Sequence, residues 1–376
     1  MILALCINLQ GCSLIDDDLS VCGSDFELAL QMQLITNLDL ELETVLSAET
    51  DIHTRAVLHD YFSNIFTDHA HDISIGFYST ENDELVYSIH DTIDANQSTY
   101  TFYLPKNDYH AIALANLDGN GVVNITNTAN SRMASLVTPG RDTLPTQQTG
   151  LFAVSRDVTV IDTADQKIDL TLHMANSAVA LAIDTGDVHV LDMWAILTNT
   201  ADGLVLRDSL YTFNQPKTVR MEMIDGGNLS KSPSKGDLRE SRVESQESGR
   251  LTIGRVTNGQ SIDDLEIERL SQIDAKGQRQ ESDMTYHRIF GCVSFPSPDE
   301  SDGYGTYYQA KVYVKLQDGT VTETVLSVRE SLPAGHLKVL KLQLQSDGQV
   351  LPIEAPEVGA AVTLDWKDGG THTIEI

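Results

Sequence analysis

The residues with the most specific chemistry lie at the start of the chain. Leu9-Gln10-Gly11-Cys12 closes a mostly apolar run from Met1, and Asp16-Asp17-Asp18 follows almost at once. An apolar stretch ending in Gly-Cys has the layout of a lipoprotein export signal. In that chemistry the thiol takes a diacylglyceryl group, the peptide is cut before the cysteine, and the new amine is acylated. One acyl chain holds a membrane only marginally, whereas two or more give stable anchoring. Cys12 is therefore the expected lipid-attachment residue, and residues 1–22 read as signal remnant, lipobox and acidic tether. No Lys or Arg precedes Arg55 and Gln10 stands where a small residue is usual, so the true start is expected upstream of Met1. Once Cys6 leaves with the signal and Cys12 carries lipid, Cys22 and Cys292 remain. An exported protein permits a disulfide between them; the other arrangement is two separate buried thiols.

Elsewhere the reactive residue types do not assemble into a recognisable site. Asp68-His69-Ala70-His71-Asp72, with His53 and His59 nearby, comes without HExxH or CxxC spacing and reads as polar residues around a helix end. Asp118-Gly119-Asn120-Gly121 opens like a calcium loop but lacks the required later Glu, so a tight turn is expected. There is no GxSxG, no phosphate-cradling glycine loop and no nucleophile with an evident base. No catalytic residue, metal or cofactor is expected, and a binding or structural role leads. The formal net charge of -30 argues against nucleic acid or anionic lipid headgroups as partners.

The elements that must carry these residues are mostly strands. With 376 residues, 41% hydrophobic and 21% charged, the chain is expected to fold into two globular domains. After the N-terminus no window offers the roughly 20 apolar residues of a membrane span. Apolar residues alternate from Glu27 to Glu43, which predicts one long strand or two collinear ones. Leu58, Tyr61, Phe62, Ile65 and Phe66 instead follow one helical face, predicting a single short helix over about 50–67. Alternation returns in DISIGFYS, ELVYSIH, STYTFYL, YHAIALAN, KIDLTLHM and SAVALAID, and continues to the final THTIEI. Short strands at such spacing predict an antiparallel sandwich. Residues 126–150 read as a long surface loop, and 225–262, which is poor in large apolar residues, as a mobile one. A boundary near 173 divides the chain into domains 23–172 and 173–376.

Several motifs then carry a resemblance. Cys12, Ile15-Asp16-Asp17-Asp18-Leu19-Ser20 and Cys22 followed by the alternating strand resemble the start of the FimB-type fimbrial anchor and subunit lipoproteins of Bacteroidales, the fimbrillin-associated anchor proteins. Tyr109-His110-Ala111-Ile112-Ala113-Leu114-Ala115-Asn116, Leu170-Thr171-Leu172-His173-Met174-Ala175-Asn176 and Val362-Thr363-Leu364-Asp365-Trp366 extend the likeness along the chain. The resemblance implies an all-β fold of two tandem transthyretin-like antiparallel β-sandwiches, the first bearing the helix. It also implies lipid-anchored exposure on the outer membrane, a place in a fimbrium, and fimbrillin and other fimbrial subunits as partners through β-strand exchange. In that family an arginine-specific protease can remove a pilin's N-terminal strand, which makes Arg55 the first candidate processing residue here. Because no basic residue lies between Cys12 and Arg55, the expectation is an uncut, stationary anchor. The alternatives are a tip or polymerising subunit with an adhesin role toward a host or bacterial surface ligand, and a surface glycan-binding lipoprotein. Trp194 and Trp366, both within strand patterns, are expected in core packing rather than on a glycan platform.

Overall fold

The computed structural model describes residues 23–33, 38–48, 51–66, 70–92, 99–161, 166–224, 287–353, 358–365 and 371–375. The first half runs β1 (Gly23–Gln33), α1 (Leu38–Val45), α2 (Ile52–Ile65), β2 (Asp72–Ser79), β3 (Leu85–Thr92), β4 (Thr99–Pro105), β5 (Asn107–Ala115), β6 (Asn124–Thr126), β7 (Ser135–Val137), β8 (Thr143–Leu144), β9 (Phe152–Val160) and β10 (Gln166–Met174). The second half continues with β11 (Ser177–Asp184), β12 (Val190–Thr200), β13 (Gly203–Val205), β14 (Leu210–Thr212), β15 (Lys217–Arg220), β16 (Glu222–Met223), β17 (His287–Ser294), β18 (Tyr308–Leu316), β19 (Val321–Val328), β20 (Leu337–Leu344), β21 (Val350–Pro352), β22 (Val358–Asp365) and β23 (Thr371–Glu375). Among the described residues the fold is all-β apart from the two helices. No described helix is long and apolar enough to cross a membrane.

Four sheets organise these strands. An N-terminal sheet has the order β3-β2-β5-β9-β10-β1-β4, and a central sheet the order β16-β17-β11-β20-β21. An outer sheet is ordered β23-β22-β19-β18-β12-β15-β8, and a small one β14-β13-β7-β6. The central sheet is buried on both faces, and the alternation of β11 shows how. Ala178, Ala180 and Ala182 face a core shared with the helices and the N-terminal sheet. Val179, Leu181 and Ile183 face the other core, against Ala195, Leu197, Val312 and Val314 of the outer sheet. A strand buried on both faces reads as a continuous apolar run, which SAVALAID is.

Strand pairing crosses residue 173, with strands of the first half joining sheets of the second. β8 pairs in parallel with β15, and β7 pairs with β13. The 126–150 segment is therefore not the surface loop its composition suggests. It buries Ala134, Leu136 and Leu144, together with Ser131, Thr146 and Gln147. Those polar groups are satisfied inside: the Val293 N–H donates to Thr146 Oγ1 at 2.7 Å, and Asn176 Nδ2 donates to Gln147 Oε1 at 3.0 Å. Polar composition hides a buried segment when each group finds a partner.

A second correction concerns the N-terminus, where two helices stand instead of one. The strand ends at Gln33, and Leu38–Val45 is α1. Leu42 and Leu46 are buried while Leu40 is 69% exposed. Apolar residues at 38, 42, 45 and 46 share one helical face, so the period-two reading of Leu38, Leu40 and Leu42 was the wrong period. By contrast, α2 buries Leu58, Phe62 and Phe66 as its spacing predicts. The hairpin between β18 and β19 turns at Asp318-Gly319 as expected, with Gly319 at φ +85, a conformation that favours glycine.

Candidate functional site

β1 sits inside the N-terminal sheet rather than at its edge. It pairs in parallel with β10 from Phe26↔Gln166 to Gln33↔His173, and antiparallel with β4 from Gly23↔Pro105 to Ala29↔Thr99. A parallel neighbour cannot be reached by a tight hairpin, so β1 enters the sheet from a distant part of the sequence. Its backbone fills a strand-wide slot between β10 and β4, and main-chain hydrogen bonds of this kind recognise any extended segment of suitable side-chain pattern.

The helices that follow β1 are fastened to a different sheet. Lys341 Nζ on β20 lies 2.6 Å from Asp51 Oδ2, and Asp51 is 1% exposed at the start of α2. The Val339 N–H of β20 donates to Glu41 Oε1 of α1 at 3.0 Å, which covers a sheet edge with a helix. Tyr61 Oη donates to Glu222 Oε2 on β16 at 3.1 Å, and burial, with the Glu222 carboxylate second, pushes the phenol well above its ordinary range. Tyr61 and Phe62 pack edge to face at 5.0 Å over Gly291. A Cβ on Gly291 would meet Ile224 Cδ1 at 2.8 Å and Tyr61 Cε1 at 3.1 Å, so glycine is what lets the rings sit there.

Arg55 is the fourth residue of α2 and half-buried. The Arg55–Ala56 peptide is thus inside a hydrogen-bonded helix, whereas proteolytic nicking concentrates at exposed loop tips. Cys12 and Cys22 lie outside the described residues. Cys292 is a fully buried thiol on β17 whose pKa is pushed up to about 12, chiefly by burial. Arg55 and Cys292 belong to different elements, and neither touches a reactive partner among the described residues.

The histidine-rich stretch does not converge. His59 Nε2 reaches Asp39 Oδ1 across the helices at 3.4 Å, the His71 N–H donates to Asn116 Oδ1, and His69 lies outside the described residues. No group of three or more His, Cys, Asp or Glu suited to a metal occurs among the described residues. Asn120 of the Asp118–Gly121 turn is buried, and its Oδ1 accepts the Val123 N–H at 3.0 Å. Trp194 is not a core residue as expected: it is half-buried on the outer sheet, stacked on Tyr313 with centroids 5.2 Å apart. Trp366 lies outside the described residues.

One constellation escaped the sequence entirely. His110 Nδ1 lies 2.6 Å from Asp157 Oδ1, and His110 Nε2 lies 2.7 Å from Ser155 Oγ. A Ser–His–Asp chain resembles a nucleophile with its base, but its surroundings differ from a hydrolytic site. Ser155 Oγ donates to the Arg207 carbonyl at 2.8 Å, and the Asp157 side chain is 81% exposed. Ser155 sits mid-strand, paired with Ile112, not on an exposed elbow. The chain ties β5 and β9 to the 206–209 turn, where Arg207 pairs with Asp83 and reaches Ser131 Oγ at 2.9 Å. Cross-strand register brings together residues 45 and 47 positions apart, a separation no local motif reveals.

A family model described as Mfa2, fimbrillin-A associated anchor proteins Mfa1 and Mfa2, matches residues 40–287. The chain belongs to this fimbrial anchor family. The fimbrial anchor protein Mfa2 from Porphyromonas gingivalis is 9% identical, with a TM-score of 0.43 over 93% of this chain and 99% of that one. The tip fimbrial protein Mfa3 from Porphyromonas gingivalis, with a C-terminal truncation, is 10% identical, with a TM-score of 0.39 over 91% and 100%. No curated protein matches the chain significantly. Membership in the Mfa2 family places the chain among fimbrial anchor proteins and implies contact with other fimbrial subunits.

Proposed function

We propose that the protein is a stationary anchor, tethered to the outer membrane through a lipidated Cys12, on which a fimbrillin partner docks by β-strand exchange. The observation that carries this reading is the fastening of the N-terminal segment to two sheets. A cut after Arg55 would release β1 and α1 together, strip the helix from Val339 and strand Lys341 of the backbone that carries Asp51. No Lys or Arg between Cys12 and Arg55 offers an earlier site. Such a segment suits a tether that must stay attached. On the same reading the chain forms two transthyretin-like sandwiches meeting near residue 173, the first lending β6, β7 and β8 to the second, and Cys22 and Cys292 stay separate thiols.

Mass spectrometry of the mature N-terminus from native outer membranes tests this. A triacylated Cys12 with an intact Arg55–Ala56 bond, and fimbrillin co-purifying, is the expected result. A mature chain beginning at Ala56 in assembled fimbriae would overturn it in favour of a polymerising or tip subunit. The half-buried Trp194–Tyr313 stack on the outer sheet is the observation that favours a surface glycan-binding role as second reading.

A further inference from the structure

The contacts of the Ser155–His110–Asp157 chain need one more proton than a neutral imidazole brings. Ser155 Oγ lies 2.8 Å from the Arg207 carbonyl oxygen, which can only accept, so the single hydroxyl proton is committed there. His110 Nε2, 2.7 Å from the same Oγ, must then donate. On the other side of the ring, Nδ1 faces Asp157 Oδ1 at 2.6 Å, and a carboxylate also only accepts. A ring that donates from both nitrogens is an imidazolium. A neutral ring has one N–H and opens one contact. Either its Nδ1 lone pair meets the carboxylate, or the hydroxyl proton turns to Nε2 and leaves Ser155 Oγ against the Arg207 oxygen with no proton between them.

His110 is buried, and the other titratable and charged groups of the elements around it are engaged elsewhere. Asp108, on the same face of β5, accepts Thr159 Oγ1 at 2.6 Å. Tyr78, paired with His110 on β2, folds its ring over Gly76. Arg156 of β9 points to the opposite face from Ser155 and Asp157 and donates to the Asp169 carbonyl at 3.0 Å. On the 206–209 turn Asp208 is exposed, and the Arg207 guanidinium goes to Asp83, which also holds Arg132 Nε at 2.6 Å. The imidazolium contacts therefore join β5 and β9 of the N-terminal sheet to a turn between β13 and β14, across the two halves of the chain.

We infer that His110 is a proton-operated clamp: with its imidazolium in place the 206–209 turn is held to the N-terminal sheet, and loss of that proton as pH rises lets the turn go. This goes beyond the anchor reading and does not depend on it. The test is hydrogen–deuterium exchange of the 206–209 amides in the intact chain at about pH 5.5 and about pH 8.5, corrected for the intrinsic pH dependence, since histidine is the side chain whose charge ordinarily changes in that interval. The corrected rate should rise about ten-fold at the higher pH, the size expected for losing a charge-assisted hydrogen bond. Two variants should remove the pH dependence from opposite directions. Ser155→Ala deletes the link to Arg207, so the turn should exchange fast at both pH values. Asp157→Asn, at an exposed position, offers an amide that can accept from a protonated Nδ1 or donate to a bare one, so the turn should stay protected at both. Equal corrected rates in the unmodified chain at the two pH values, or a pH dependence that survives in a folded Ser155→Ala or Asp157→Asn variant, would each overturn the inference.

Discussion

The two faces of β11, in the middle of the central sheet, solve the same burial problem with side chains of different size. Toward the outer sheet, β11 presents Val179, Leu181 and Ile183, which interdigitate with branched residues of β12 and β18. Toward the helices it presents Ala178, Ala180 and Ala182, next to Gly291 of β17. Sheet-on-sheet packing needs filled interstices, so large residues are selected there. The helix-bearing face has instead to leave room for Tyr61 and Phe62, and small residues provide a flat floor. On the large-residue face of β11 the sandwich supplies its own volume, while on the small-residue face the volume comes from the helix that carries Tyr61 and Phe62.

If the floor is shaped for those rings, removing a ring should cost most. Phe62→Ala is expected to lower stability by about 4 kcal/mol, read from the guanidinium midpoint, because it empties a fully buried site. A loss well below that of Leu181→Ala on the opposite face would mean the helices are accessory. Next, Lys341→Met should cost about 3 kcal/mol by removing the ammonium that faces the buried Asp51 carboxylate, and Asp51→Leu added to it should restore most of the loss. If the double variant stays as unstable as the single one, the helix is held by shape and not by the pair. Gly291→Ala should cost about 2 kcal/mol through overpacking against Ile224 and Tyr61; a neutral or stabilising result would break the contrast between the faces.

The smallest expected effect concerns Cys292, on the large-residue side. Its thiol keeps its proton up to about 12 in the fold, against an ordinary value of 9.0. Above pH 9 the unfolded chain loses that proton and the folded one does not, so this group's contribution to stability falls as pH rises from 9 to about 12. A Cys292→Ala variant should lose that part of the alkaline slope. Iodoacetamide at pH 8 should label Cys292 only after unfolding; labelling of the native chain would show that the core opens.

Much of this was legible in the chain. The strands of DISIGFYS, KIDLTLHM and SAVALAID and the helix around Leu58 and Phe62 follow from periodicity, because one or both of their faces are buried. The short helix at Leu38–Val45 was not, since its leucines fit period two as well as 3.6 and only the exposure of Leu40 separates them. Residues 126–150 failed for the opposite reason: Ser131, Thr146 and Gln147 are buried through partners distant in sequence. The Ser155–His110–Asp157 chain depends on strand register, which one sequence does not print.

The orientation of β1 has a mechanical consequence. Its ladder rungs to β10 and β4 lie across the strand, while a pull on the chain before Gly23 acts along it. Such a load shears many rungs at once instead of unzipping them singly. A strand set this way behaves as a rivet under tension, giving way only when the whole row yields.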